Sequence, residues 1–119
     1  MAKILMVDDS RTSRKILKDI LIDAGFEISG EASNGEEGYQ MYSEQKPDLV
    51  TMDITMPILD GIGALKKIRS DYPDARVVMV TAAGQKSKLI EAIQCGAIDF
   101  ISKPFDNEKL VEIINKALG

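Results

Sequence analysis

The residues with the clearest chemical potential in this sequence are carboxylates that follow short apolar runs. The run at positions 4–7 is followed by two adjacent acids, Asp8 and Asp9, and the run at 49–52 is followed by a third, Asp53. Carboxylates about 4 Å apart repel each other by on the order of 4 kcal/mol per pair at an effective dielectric constant near 20. Such a cluster therefore predicts either a protonated carboxyl group or a bound cation.

Two further polar residues end apolar runs of the same kind. Thr81 follows the run at 77–80, and Lys103, which precedes Pro104, follows the run at 100–101. A hydroxyl, an ammonium and a hard cation together would bind a tetrahedral oxyanion, and an aspartate is a competent nucleophile toward phosphorus. The residue types therefore predict phosphoryl chemistry, with Asp53 as the acceptor and with Asp8 and Asp9 holding the metal.

The choice of metal follows from the available ligands. The chain has no histidine and one cysteine, Cys95, which excludes zinc sites of the histidine type and Ser–His or Cys–His catalysis. An all-oxygen site suits Mg²⁺ or Ca²⁺. A dedicated Ca²⁺ cage needs more ligands than these acids offer, so the sequence favours Mg²⁺.

Composition limits the class of protein. The chain has 119 residues and a net charge of −4, with a pI of about 4.8, which argues against nucleic-acid binding through a basic patch. One cysteine cannot form an intramolecular disulfide, and no apolar run reaches the roughly 18 residues of a membrane span. The N-terminus lacks the pattern of a signal peptide, and we expect a cytoplasmic protein.

The elements that would position these residues alternate along the chain. Five apolar runs, at 4–7, 26–32, 49–52, 77–80 and 100–101, are separated and followed by amphipathic helical patterns. Strict alternation predicts an α/β fold with a parallel sheet and helices on both faces. The second run carries Glu27 and Glu31 and is predicted to be an edge strand. Function in such sheets gathers at the carboxyl ends of the strands, where the polar residues described above fall.

Four motifs, found in order and at the expected spacing, resemble the response-regulator receiver family: "VDDS", "MDITMPILDG", "VTAAG" and "SKPF". The resemblance extends over essentially the whole chain. It implies a flavodoxin-like (βα)5 fold with strand order 2-1-3-4-5. It also implies a single receiver domain over residues 1–119, without an effector domain, and a monomer.

The resemblance also implies roles for individual residues. Asp53 is expected to accept phosphate, Asp9 to bind Mg²⁺ directly, and Asp8 to bind it directly or through water. The backbone carbonyl of Thr55 would complete the protein's metal ligands, so the Thr55 side chain should matter little for binding. Lys103 would contact the phosphoryl group.

The remaining implied roles concern the conformational switch. Thr81 resembles the switch hydroxyl, and the Lys103–Pro104 bond is expected to be cis. Phe100 occupies the aromatic switch position, where it can rotate but offers no hydroxyl to a partner. We predict that Phe100 belongs to the core in either arrangement.

The implied function is a phosphoacceptor switch rather than an enzyme, with only self-phosphorylation from phosphodonors and slow autodephosphorylation. A histidine kinase would supply the phosphate, and a protein target would be bound through the surface at 86–93, Phe100 and 107–114. The stretches after Met52 and after Val80 are most similar to chemotaxis receivers, whose partners are a CheA-type kinase and the flagellar motor switch. A phosphatase is a further candidate partner.

Other interpretations stay open at this stage. Within the family, the chain could be a single-domain phosphorelay intermediate or a receiver taken from a longer regulator. A Mg²⁺-dependent phosphohydrolase with an aspartyl-phosphate intermediate is a different class, but such enzymes carry a second aspartate where this chain has Thr55. A third class is an interaction module that has lost the ability to take phosphate. Such a module would not need all three aspartates, Asp8, Asp9 and Asp53.

Overall fold

Five strands and five helices alternate along the computed structural model, which describes residues 1–119. In chain order they are β1 (Lys3–Val7), α1 (Arg11–Asp23), β2 (Glu27–Ala32), α2 (Gly35–Gln45), β3 (Leu49–Asp53), α3 (Gly61–Asp71), β4 (Val77–Thr81), α4 (Lys86–Gln94), β5 (Asp99–Ser102) and α5 (Asn107–Leu118). The predicted alternation is confirmed, including the second helix, whose apolar stripe is weak.

The strands form one parallel sheet in the order β2-β1-β3-β4-β5. This is the order that the family resemblance implies, and the flavodoxin-like fold class is confirmed. β2 lies at the edge, as its two glutamates predict. The three strands that are buried along nearly their whole length, β1, β3 and β4, lie at the centre, where helices cover both faces of the sheet.

The hydrophobic core is divided by the sheet into two layers. Successive residues of a strand point to opposite faces, so Ile4 and Met6 pack on one side with α1 and α5. Leu5 and Val7 pack on the other side with α2, α3 and α4. The backbone of the central strands is therefore enclosed from both faces, and only the strand ends reach solvent.

Side-chain caps begin four of the five helices. The oxygen of each cap accepts a hydrogen bond from the backbone amide three residues later; the caps are Ser10, Asn34, Asp60 and Asp106. At the start of α2 the contact is reciprocal: Asn34 accepts from the Glu37 amide, and the Glu37 side chain accepts from the Ser33 amide. α4 begins after Gln85 without such a cap. No helix combines the length and apolar character that crossing a bilayer requires.

The start of α3 rests directly on the backbone of Asp53. The Gly61 amide donates to the Ile54 carbonyl at 2.8 Å. A β carbon at position 61 would lie 1.9 Å from the Asp53 carbonyl oxygen, far inside van der Waals contact. Only glycine allows this approach, so Gly61 helps to fix the position of Asp53.

Replacing Gly61 with alanine should therefore destabilise the protein, although alanine favours helix. We expect the Gly61→Ala variant to lose about 3 kcal/mol of unfolding free energy, near the upper end for overpacking. Urea denaturation followed by circular dichroism measures the loss. Ser70→Ala, at an exposed position of the same helix, is the matched control and should stay within about 0.5 kcal/mol of the parent protein. Equal stability of the two variants would contradict the proposed contact.

Candidate functional site

The register of the sheet brings three acids to one edge. Val7 pairs with Met52, so Asp8 and Asp9, which follow Val7, lie beside Asp53 at the end of β3. One carboxylate oxygen from each of the three acids lies within 4.8 Å of the others. These residues are distant in sequence, and the parallel pairing of β1 with β3 is what joins them.

Thr81 and Lys103 extend the same edge across the next two strands. Thr81 ends β4 and is buried, and its carbonyl accepts from the Lys103 amide at 2.8 Å. The Lys103 ammonium reaches back across the strand ends and lies 3.1 Å from Asp8 and 3.9 Å from Asp53. The Lys103–Pro104 peptide bond is cis.

The two adjacent acids have different surroundings. Asp8 is buried, accepts from the Ser10 amide at 2.8 Å and pairs with Lys103. Asp9 is exposed and forms no salt bridge. The oxygens of Asp9 are therefore open to an external ligand, whereas one side of Asp8 is occupied by the protein.

The electrostatics of the site are unbalanced. Three carboxylates face one ammonium, which leaves a net charge of about −2 if all are ionised. Burial, followed by the charge of Asp8 and more weakly by that of Asp9, raises the pKa of Asp53 from 3.8 to about 6, and Lys103 acts against this rise. Ionisation of Asp53 in the folded protein therefore costs free energy, and additional positive charge at the site would lower that cost.

Thr55 lies two residues beyond Asp53, in the loop between β3 and α3. Its carbonyl oxygen accepts no hydrogen bond within the protein, so it is available as a ligand. Its hydroxyl, in contrast, accepts from the Gln85 side chain at 2.9 Å.

Phe100 does not belong to the core. The prediction that it is buried is wrong, because its side chain is 40% exposed and lies beside Leu89, Ile93 and Ile98 on the α4–β5 surface. β5 is an edge strand on which only Ile101 is buried, and the α4 residues beside Phe100 cover its side chain only in part.

Two residues around the site were not identified from the sequence. The Arg14 guanidinium donates to the Asp8 carbonyl and pairs with Glu31, so it holds the backbone of the acidic pair from α1. Gln85 contacts both neighbouring loops. A basic residue in the helix after the acidic pair is a weak signal for Arg14, and no sequence signal marks Gln85.

Comparison with known proteins agrees with this fold. The family model for the response regulator receiver domain matches residues 4–115. The chain is 53% identical to the chemotaxis protein CheY of Bacillus subtilis over 117 residues, covering 98% of each chain. It is 50% identical to CheY of Thermotoga maritima over 114 residues, covering 96% of this chain and 95% of the other.

Solved structures give the same result. A CheX–CheY–BeF3–Mg²⁺ complex from Borrelia burgdorferi contains a chain that superposes with a TM-score of 0.94 at 36% identity, covering 99% of this chain and 90% of that one. The response regulator domain of Thermotoga maritima CheB superposes with a TM-score of 0.91 at 38% identity, covering 99% and 96%.

The fold and the acidic edge thus define a signalling domain of the flavodoxin-like α/β class rather than a classical enzyme. The chain belongs to the response regulator receiver family. It is a receiver domain of a two-component response regulator, and its sequence is similar to that of CheY proteins over nearly its whole length.

The raised pKa of Asp53 predicts a specific pH dependence of stability. The folded protein binds more protons than the unfolded chain between pH 3.8 and about 6, so stability falls as pH rises through this window. Asp53→Asn removes the ionisable group and therefore removes this loss of stability. In EDTA at pH 7.5 we expect the variant to be more stable by on the order of 1–3 kcal/mol, and the difference to shrink toward pH 4.

Chemical denaturation at several pH values measures this difference. The matched control is Asp74→Asn, the same substitution at an exposed position, which should change stability little at any pH. A destabilised Asp53→Asn protein at pH 7.5, or a gain that does not depend on pH, would show that the charge of Asp53 is not unfavourable in the fold.

Proposed function

We propose that this protein is a phosphoacceptor switch in which Asp53 takes a phosphoryl group from a histidine kinase. The observation that carries the proposal is the environment of Asp53. This carboxylate is 7% exposed, ends a central strand and lies between two further acids and one lysine. A buried carboxylate that is surrounded by groups able to bind an anion and a cation suits a nucleophile toward phosphorus.

Asp53 is a better acceptor than either neighbouring acid. Asp8 is engaged by the Ser10 amide and by Lys103, and Asp9 extends into solvent, where no lysine or hydroxyl faces it. Asp53 accepts only from the adjacent Ile54 amide, at 3.1 Å, through its Oδ1 atom. Its other oxygen, Oδ2, faces Lys103.

The residues at this edge fit a Mg²⁺ ion. All the available donors are oxygens, and the net negative charge of the cluster favours a small divalent cation. Asp9 and Asp53 would bind it through carboxylate oxygens, the Thr55 carbonyl would be a third ligand, and Asp8 would bind directly or through water. When bound, Mg²⁺ would neutralise charge on the phosphoryl oxygens.

The protein's own groups then perform defined tasks. An Asp53 oxygen forms a bond to phosphorus while the phosphorus–nitrogen bond of the phosphohistidine breaks and the histidine leaves. The Lys103 ammonium compensates the negative charge that collects beside Asp53. The Thr81 hydroxyl, at the end of the neighbouring strand, donates a hydrogen bond to a phosphoryl oxygen once its loop moves toward Asp53.

The phosphoryl group provides the signal because it changes the charge of the site. It adds about 1.5 to 2 negative charges and three acceptor oxygens. A charge-assisted hydrogen bond contributes about 1.5–3 kcal/mol, which shifts a two-state equilibrium roughly ten- to a hundredfold. Thr81 and Phe100 are the residues that would transmit this shift, Thr81 by moving toward Asp53 and Phe100 by turning inward.

The output surface would consist of α4, β5 and α5. Several large apolar side chains are exposed there; they are Ile90, Ile93, Ile98 and Phe100. An apolar patch of this kind suits a protein target. Inward rotation of Phe100 would change the shape of the patch, so the phosphorylated and unphosphorylated proteins would differ in affinity.

Chemotaxis is the cellular role that the comparisons favour. CheY proteins of two bacteria are about half identical to this chain over nearly its full length. We therefore propose a CheA-type kinase as phosphodonor, the flagellar motor switch as target and a cytoplasmic location. The complex of CheX with CheY from Borrelia burgdorferi supports a CheX-type protein as a further partner, in the role of a phosphatase.

Phosphorylation is tested with a small-molecule donor. Acetyl phosphate with Mg²⁺ should add one phosphoryl group to the protein, detected as an increase of about 80 Da in intact mass, the mass that one phosphoryl group adds. Asp53→Asn should abolish the adduct because it removes the nucleophile, and EDTA should abolish it because the charge of the site is then uncompensated. Asp74→Asn, which is exposed, should be labelled like the parent protein.

Four results would each contradict a part of the proposal. The absence of an adduct on the parent protein would exclude the phosphoacceptor function, and equal labelling of Asp53→Asn would exclude Asp53 as the acceptor. Labelling that persists in EDTA would exclude the Mg²⁺ requirement. Sustained turnover of small phosphate esters would indicate a phosphohydrolase instead.

A further inference from the structure

The side chain of Gln85 connects the two loops that flank Asp53. Its amide nitrogen donates to the Thr55 hydroxyl at 2.9 Å, in the loop after β3. Its amide oxygen accepts from the Ala82 backbone amide at 2.7 Å, in the loop after β4. Both distances are those of well-formed hydrogen bonds. We call this pair of hydrogen bonds the Gln85 bridge.

The chain direction around Gln85 permits the bridge. Gly84 has a φ of 85°, a left-handed conformation that glycine adopts without steric cost. The turn at Gly84 directs the Gln85 side chain back toward Ala82. Gln85 stands at the N-cap position of α4 but makes no capping hydrogen bond, because its amide is used between the loops.

α4 is weakly held at the end where the bridge lies. Of its nine residues only Ala92 is buried, and Lys86 and Lys88 in its first turn are unfavourably placed with respect to the helix dipole. Leu89 packs against the core from this turn, and the bridge is the side-chain hydrogen-bond contact that ties the start of α4 and the preceding loop to the loop after β3.

The bridge also acts on the peptide that follows the switch residue. The Ala82 amide belongs to the peptide unit that joins Thr81 to Ala82, so a hydrogen bond to it fixes the orientation of that unit. A movement of the loop that carries the Thr81 backbone toward Asp53 would rotate the same unit. The bridge and the movement of Thr81 therefore compete for one peptide group.

We propose that Gln85 is a positioning residue that holds the Thr81–Ala82 peptide in the unphosphorylated arrangement, and that the Gln85 bridge breaks when Asp53 is phosphorylated. The inference rests on the proposed function of Asp53 and adds a residue to its switch. It also gives the Thr55 side chain a role that the sequence did not indicate, because the hydroxyl is one end of the bridge.

Beryllium fluoride, used as a phosphoryl mimic with Mg²⁺, tests the proposal. Gln85→Ala removes both hydrogen bonds, and Thr55→Val removes one while keeping a β-branched side chain. Each should bind beryllium fluoride at least about two- to tenfold more tightly than the parent protein, the range that corresponds to one lost intramolecular hydrogen bond. Titration calorimetry measures the affinities. Ser87→Ala, exposed in the same turn of α4, is the control and should leave the affinity unchanged.

A double-mutant cycle distinguishes the bridge from two unrelated effects. If Thr55 and Gln85 act through one contact, the double variant should bind no more tightly than Gln85→Ala. The affinity of Gln85→Ala for Mg²⁺ alone should equal that of the parent protein, which a general disturbance of the site would not allow. The amide signal of Ala82 should also shift in Gln85→Ala toward its position in the beryllium-fluoride complex of the parent protein.

The outcomes separate this inference from the function on which it rests. If the parent protein binds no beryllium fluoride in the presence of Mg²⁺, the phosphoacceptor function fails, and the bridge has no switch to control. If the parent protein binds it but the two variants bind equally or more weakly, the function stands and the bridge does not hold the resting state. Strictly additive effects of the two substitutions would likewise overturn the bridge.

Discussion

Electrostatic repulsion at the carboxyl edge of the sheet is the constraint on which the rest of the site depends. Three carboxylates lie within 4.8 Å of one another, with one ammonium between two of them. Each pair of like charges at this spacing costs on the order of 3–4 kcal/mol at an intermediate dielectric constant. Burial and this repulsion together raise the pKa of Asp53, with burial as the larger cause. The proposed binding of a cation and of a phosphoryl group would relieve this repulsion and would give the cluster its function.

The architecture keeps these charges together by fixing the backbone rather than the side chains. Parallel pairing of β1 with β3 places Asp53 beside the end of β1. The backbone of Gly61, at the start of α3, approaches the Asp53 carbonyl and supports Asp53 from that side. Arg14 holds the carbonyl of Asp8 from α1. The loop after β3 is held by buried Ile54 and Met56, whereas the loop after β4 is exposed at residues 82–84 and contains Gly84 with a left-handed φ. The acids thus sit on the better-packed part of the site, and the proposed conformational response falls to the loop that follows Thr81.

Much of this could be predicted from the sequence because it follows from periodicity and chain order. Alternating apolar runs and helical stripes predict the parallel sheet, and strand ends predict which acids meet. The edge position of β2 follows from its glutamates. Contacts that depend on how a long side chain crosses a loop could not be predicted, and Gln85 is the example. The burial of Phe100 was predicted wrongly, because a strand-period pattern does not reveal how far a neighbouring helix covers an edge strand.

The central claim is that Asp53 is held in an excess of negative charge that a divalent cation relieves. Its most direct test is a carbon-detected NMR titration of the Asp53 carboxyl group against pH, in EDTA and again in saturating Mg²⁺. In EDTA the pKa should be about 6, and in Mg²⁺ it should fall below that of an ordinary aspartate, because the bound cation favours the ionised form. The same pKa under both conditions, or an ordinary value in EDTA, would contradict the account.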